Sequence, residues 1–153
     1  MRTVTILGAT GSVGTSTLDL VEREPERFRV RALTAHRDVA KLAAAAIRTR
    51  AEQAVVADEG CLPALRDALA GTGIAAAGGE QAVCEAAGSG ADWTMGAIVG
   101  CAGLRPVLAA IERGGTVVLA NKEPLVSAGA IVMAAAPWSR AAVLPADLSL
   151  IHI

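Results

Sequence analysis

Short apolar, β-branched runs alternate along the chain with Ala- and Leu-rich stretches in which apolar residues recur every three to four positions. The strand-like runs are 3–7, 28–34, 53–57, 94–99, 116–120 and 141–144, with 74–77 as a weaker candidate. Helical periodicity covers 12–23, 38–49, 60–70, 79–87, 104–113 and 124–136. The strands are continuously apolar rather than alternating, which a sheet covered on both faces requires. This βαβα rhythm with right-handed crossovers predicts an α/β fold: a doubly wound, mostly parallel, Rossmann-like sheet with helices on both faces. Loops fall at 23–27, 71–73, 78–79 and 88–91, where Gly, Pro and charge collect. There is no internal repeat and no low-complexity tail.

One strand-to-helix junction carries chemistry. The apolar run ending at Leu7 drops into Gly8, Gly11 and Gly14, and Val13, Thr17, Leu18 and Val21 then fall on one helical face. Strand, glycine turn and helix together present free N–H groups and a positive helix end to a phosphate. A Cβ in such a loop blocks both the tight turn and the approach of a pyrophosphate. The spacing is G-x-x-G-x-x-G, not the stricter dinucleotide fingerprint, so an ordinary glycine turn stays open as the alternative. No Lys-Ser or Lys-Thr pair closes the loop, which excludes a Walker-type γ-phosphate grip.

Composition narrows the class. The 153 residues are 53% hydrophobic but only 2% aromatic, so the core is built from Ala, Val, Leu and Ile. A net charge of −1 argues against a nucleic-acid binder relying on a general basic field. Cys61, Cys84 and Cys101 form neither a disulfide framework nor a zinc spacing; they read as buried small hydrophobes in a reducing, cytoplasmic compartment. His36 and His152, the only histidines, have no partner at metal-ligand spacing. No early apolar stretch forms a secretory signal, and the longest uncharged stretch, 124–139, is shorter than the roughly 20 apolar residues of a membrane span.

In a doubly wound sheet, ligands bind beyond the carboxyl ends of the strands. The second strand ends in His36-Arg37-Asp38. An NAD enzyme usually places an acidic residue at this end for the ribose hydroxyl, whereas a guanidinium pairs with a 2′-phosphate and favours NADP. Arg37 is equally readable as a solvated loop charge, and Asp38 either caps the next helix or contacts ribose. The strand at 94–99 leads into Gly100, Cys101, Ala102 and Gly103, small enough for a cofactor to lie against the backbone. The strand at 116–120 ends in Asn121-Lys122-Glu123, directly before Pro124. These three polar residues suit a cofactor and substrate site, and equally suit helix capping.

With these residues assembled, the chain resembles the amino-terminal domain of the 1-deoxy-D-xylulose 5-phosphate reductoisomerase family. The resemblance runs from the glycine loop through Ser16-Thr17-Leu18-Asp19 and the Pro25–Val30 segment. It continues through Ala97 to Gly100, Ala102 to Leu104, and Leu119-Ala120-Asn121-Lys122-Glu123, and ends with Leu125-Val126, Gly129, Leu144-Pro145 and Asp147. The Ala-Asn-Lys-Glu segment at this distance from the glycine loop is specific to the family. The resemblance implies NADPH and a divalent metal, Mg or Mn, and a reaction that rearranges a sugar phosphate skeleton and then reduces it by hydride transfer. It implies that Thr10, Gly11, Ser12 and Val13 line the pyrophosphate, and that His36, Arg37 and Asp38 surround the 2′-phosphate. It further implies that Asn121 and Glu123 meet the cofactor, that Lys122 contacts substrate, and that Asp147 is a metal carboxylate. The implied partners are the small-molecule sugar phosphate and, for the full-length enzyme, a second copy in a homodimer, with no nucleic acid and no membrane.

The family's metal strand continues Asp-Ser-Glu, whereas Asp147 is followed by Leu148 and Ser149. A hard divalent cation takes several oxygen ligands, more than one aspartate supplies. The reading is therefore an NADPH-binding domain over 1–147, with 148–153 outside the family pattern, as from a truncated or mistranslated reading frame. Such a chain binds dinucleotide without turnover. The alternative is a stand-alone dinucleotide-binding module without catalysis. A different NADP oxidoreductase, such as a semialdehyde dehydrogenase, lacks its catalytic cysteine context here.

Overall fold

A computed structural model of the chain describes residues 1–98, 101–120 and 141–145. The described elements, in chain order, are β1 (Arg2–Leu7), α1 (Ser12–Arg23), β2 (Phe28–Ala35), α2 (Val39–Thr49), β3 (Gln53–Val56), α3 (Leu62–Ala68), β4 (Ala75–Gly78), α4 (Glu80–Ala87), β5 (Trp93–Gly96), α5 (Leu104–Arg113), β6 (Gly115–Leu119) and β7 (Ala141–Pro145). The strands form one sheet in the order β4-β3-β2-β1-β5-β6-β7, and every neighbouring pair is parallel. Six of them reproduce the doubly wound 3-2-1-4-5-6 order, with β4 added outside β3.

The helices divide between the faces as the crossover rule requires. On one face, Leu18 and Val21 of α1, Leu42 and Ala46 of α2 and Leu65 of α3 pack on Ile6, Leu33 and Val56. On the other, α4 and α5 bring Val83, Ala86, Ala87, Val107, Ala110 and Ile111 against Leu7, Val55, Val117 and Leu119. Fully burying each such Val, Leu or Ile contributes about 1.5–3 kcal/mol. Among the described residues, Phe28 packs at the margin of this core and meets Trp93 at 6.4 Å between ring centroids, with the Arg2 guanidinium 5.4 Å from the Trp93 ring. Both rings sit at strand starts, the sheet edge opposite the glycine loop.

The helices follow the apolar spacing closely. Gly14, Leu18 and Val21 form the inner stripe of α1. Asp38 caps α2 by accepting the Lys41 N–H at 3.1 Å, so the helix starts one residue after the predicted 38. The predicted helix at 60–70 divides into a 3₁₀ turn, Glu59–Cys61, and the shorter α3, because Asp58 accepts the Gly60 N–H and Pro63 opens the α-helix. The strand predicted at 94–99 stops at Gly96. Its neighbour β1 turns away at Gly8, so beyond the Ala97 N–H, which donates to the Leu7 carbonyl, no β1 backbone remains to pair with. The predicted helix at 124–136 lies outside the described residues. Among the described residues, no helix is long and apolar enough to cross a membrane.

Candidate functional site

Strands β1 and β5 are neighbours, yet the chain leaves them in opposite directions, toward β2 on one side and β6 on the other. This switch point opens a crevice at the carboxyl edge of the sheet. Gly8 makes the turn out of β1 with φ +80°, and a Cβ on it would lie 2.8 Å from the Ala97 carbonyl oxygen. Thr34, buried at the end of β2, fixes the turn from the other side. Its hydroxyl accepts the Gly8 N–H at 3.0 Å and its carbonyl accepts the Ala9 N–H at 2.7 Å.

The remaining glycines serve different ends. Gly14 presses α1 against the loop: a Cβ there would run into the Gly8 carbonyl oxygen and lie 2.7 Å from Ala9 Cα. Gly11, the N-cap, has φ −78° and ψ 177°, which any residue adopts, and a Cβ would meet only the Gly8 carbonyl oxygen at 3.7 Å. The fold itself does not demand glycine at 11; the space in front of it is what glycine keeps open. No side chain caps α1, so the N–H groups of Ser12, Val13 and Gly14 have no intrahelical acceptor. Bare N–H groups, the positive helix end and an unfilled space in front of Gly11 are the features of an anion cradle.

That cradle opens on a cleft of about 510 Å³. Thr10 and Gly11 line it from the loop, His36 from the end of β2, and Ala97, Ile98 and Ala102 from the segment after β5. Its far wall comes from α4 and α5, through Glu80, Val83, Cys84 and Arg105. Cys84 is half-buried against the cleft rather than lost in the core, which corrects its reading as a buried hydrophobe; Cys61 is half-buried against the core, and both are free thiols. Burial pushes the Cys84 thiol up, against the opposing pull of the Arg105 guanidinium.

At the end of β2, Arg37 projects from the surface with its side chain 71% exposed. It is not a free solvated charge: its Nε lies 3.0 Å from Asp58 Oδ2. Asp38 is occupied as the cap of α2, and Lys41 Nζ approaches its other oxygen at 4.0 Å. Ser12 is exposed and Val13 half-buried in the first turn of α1. Asn121, Lys122, Glu123 and Asp147 lie outside the described residues. The chain leading to the triplet ends beside β5, where the Ala120 N–H donates to the Gly96 carbonyl at 3.0 Å, and β7 runs parallel to β6 toward the same edge. Among the described residues, no group of three or more His, Cys, Asp or Glu side chains converges as a metal site.

Thr34, Asp58 and the α4–α5 wall were not singled out from the sequence. Thr34 carried a usable signal, a polar residue closing an apolar strand, whereas the wall depends on β4 and its return crossover.

A family model described as 1-deoxy-D-xylulose 5-phosphate reductoisomerase matches residues 4–129. The 1-deoxy-D-xylulose 5-phosphate reductoisomerase of Zymomonas mobilis is 57% identical over 146 residues, 95% of this chain and 38% of that protein. Its counterpart in Rhodospirillum centenum is 58% identical over 147 residues, covering 96% of this chain and 37% of that protein. The chain thus spans under two-fifths of the length of these relatives. Among solved structures, the Zymomonas mobilis reductoisomerase in complex with NADPH superposes with a TM-score of 0.94 at 57% identity, over 95% of this chain and 39% of that one. A DOX-P reductoisomerase in complex with NADPH, fosmidomycin and magnesium superposes with a TM-score of 0.90 at 36% identity, over 95% of this chain and 36% of that one.

Proposed function

The chain belongs to the 1-deoxy-D-xylulose 5-phosphate reductoisomerase family, and on that premise we propose that it forms the NADPH-binding part of such an enzyme. The observation that carries this is the uncapped start of α1, facing the switch-point cleft across the open space at Gly11. Thr10, Gly11, Ser12 and Val13 then receive the pyrophosphate, chiefly through backbone N–H groups. His36 and Arg37 receive the adenosine 2′-phosphate, with Asp38 holding the loop in place through its cap. The apolar strip of Ala97, Ile98 and Ala102 gives the dinucleotide a surface to lie along. When bound, NADPH supplies the hydride that reduces the rearranged substrate, in the overall conversion of 1-deoxy-D-xylulose 5-phosphate to 2-C-methyl-D-erythritol 4-phosphate.

In the same reading, Asn121 and Glu123 orient the cofactor and Lys122 holds the sugar phosphate. That β6 and β7 run toward the cleft edge supports these assignments. Asp147 supplies one carboxylate to a divalent ion, Mg or Mn, whose remaining oxygen ligands come from elsewhere. The domain over 1–147 carries the cofactor role and 148–153 has none. The whole enzyme works as a cytoplasmic homodimer. This 153-residue chain by itself binds NADPH without converting the sugar phosphate. A stand-alone dinucleotide-binding module is the second reading, which the same uncapped helix start and cleft would serve. Supplying the remaining carboxyl-terminal part of the Zymomonas mobilis relative in trans separates the two. Oxidation of NADPH dependent on the sugar phosphate supports the reductoisomerase reading. No gain over the chain alone supports the module. Turnover by the 153 residues unaided would contradict both.

A further inference from the structure

We propose that Asp58 is a positioning residue for dinucleotide selection: its carboxylate holds the Arg37 guanidinium so that the terminal nitrogens face the 2′-phosphate. The inference rests on the NADPH reading above. Asp58 stands at the end of β3, one strand out from the site, and three other contacts hold it still. Its Oδ1 accepts the Gly60 N–H at 2.9 Å, its own N–H donates to the His36 carbonyl at 3.1 Å, and its carbonyl accepts the Cys61 N–H at 3.0 Å. The carboxylate therefore has one orientation, set by the turn it caps. From that fixed point Oδ2 lies 3.0 Å from Nε of Arg37. Nη1 and Nη2 make no hydrogen bond among the described residues, which leaves the end of the fork for two parallel bonds to a phosphate.

Arg37 needs such a hold. Its side chain is 71% exposed, and an arginine free in solvent spreads over many rotamers that binding must collapse. Asp58 also acts on the backbone, because its N–H bond to His36 ties down the residue before Arg37. The opposing effect is repulsion between the carboxylate and the 2′-phosphate. The ion pair already neutralises that carboxylate, and at 34% exposure solvent screens the remainder, so positioning prevails.

The test titrates the 153-residue chain with NADPH and with NADH. Asp58→Asn keeps the Oδ1 acceptor for Gly60 and removes the charge that holds Arg37. It is expected to weaken NADPH about threefold to fivefold, the upper part of the range for an exposed ion pair, and to leave NADH unchanged. In an Arg37→Gln background the Asp58→Asn effect vanishes, which a merely structural role for Asp58 would not produce. Asp58→Glu, which retains the negative charge, recovers most of the NADPH affinity and serves should the Asn variant fold poorly. NADPH affinity unchanged or tightened in Asp58→Asn, or equal losses for both dinucleotides, overturns the proposal. The Arg37→Gln control keeps the two failures apart. If it loses NADPH affinity while Asp58→Asn does not, only the role of Asp58 falls; if Arg37→Gln leaves NADPH unaffected, the 2′-phosphate reading falls and takes this one with it.

Discussion

Substituting alanine at Gly11 and at Gly14 separates a glycine kept for a ligand from a glycine kept for the fold. At Gly14 the added Cβ would lie 2.7 Å and 2.8 Å from Ala9 backbone atoms and closer still to the Gly8 carbonyl oxygen. Carbon contacts settle near 3.5–4.0 Å, so α1 must retreat from the loop by about 1 Å. Backbone cannot rotate aside as a side chain can, and overpacking of this kind costs about 2–3 kcal/mol. Alanine recovers about 1 kcal/mol as the better helix former, leaving a net loss of about 1–2 kcal/mol. At about 2–4 °C per kcal/mol for a chain of this size, the melting temperature falls by about 2–8 °C. At Gly11 the backbone suits alanine and the nearest atom is 3.7 Å away, so stability changes by less than about 0.5 kcal/mol. The methyl group then stands where the pyrophosphate must approach, and NADPH affinity falls by at least about tenfold, or 1.4 kcal/mol. Ligand-free thermal melts followed by circular dichroism, paired with NADPH fluorescence titrations, give both quantities. Gly11→Ala melting well below the parent chain, or binding NADPH equally well, would refute the division of roles.

Two further predictions concern stability. Asp92 Oδ2 accepts from both the Thr3 N–H and the Thr3 hydroxyl, tying the entry of β5 to β1. The Thr3 backbone bond, foremost among the causes, lowers the Asp92 carboxyl below its ordinary value. Its charged form is thus favoured in the folded chain, and the stability it contributes is present above the ordinary carboxylate range and lost as pH falls through the depressed value. Asp92→Asn is expected to melt lower than the parent at pH 7, with the gap closing as pH falls below the ordinary carboxylate range; a gap independent of pH would count against this. Arg50 ends α2 in the left-handed region at φ 54°, a conformation glycine adopts without a Cβ penalty. Arg50→Gly is expected to stabilise the chain by about 0.5–1 kcal/mol, and an unchanged or lower urea midpoint would show that the strain is absent.

What was legible in the sequence follows from how local each feature is. The β1–loop–α1 unit reads off directly, because a change of period from continuous apolar to 3.6 and three glycines all lie within eleven residues, Val4 to Gly14. The cap role of Asp38 was one of two open readings, and the Lys41 N–H decides that it caps. The three glycines looked alike as letters, yet their roles depend on what faces each one: the Ala97 carbonyl at Gly8, open space at Gly11, loop backbone at Gly14. Ala97 is 89 residues beyond Gly8, so no local pattern announces it. The same distance problem hid the far wall of the cleft, since α4 reaches it only through a crossover from β4 back to the centre of the sheet. Arg37 illustrates the general case: its charge and place were plain, but its partner Asp58 lies just beyond the neighbouring strand and became visible only with the β2–β3 register.

The central claim is that the switch-point cleft takes a dinucleotide carrying a 2′-phosphate. Parallel titrations of the 153-residue chain with NADPH and NADH at one ionic strength test it most directly. Charge-assisted bonds from Arg37 to the phosphate predict saturable binding of NADPH at least about tenfold tighter than NADH. Equal affinity for the two, or no saturable binding of either, would contradict it.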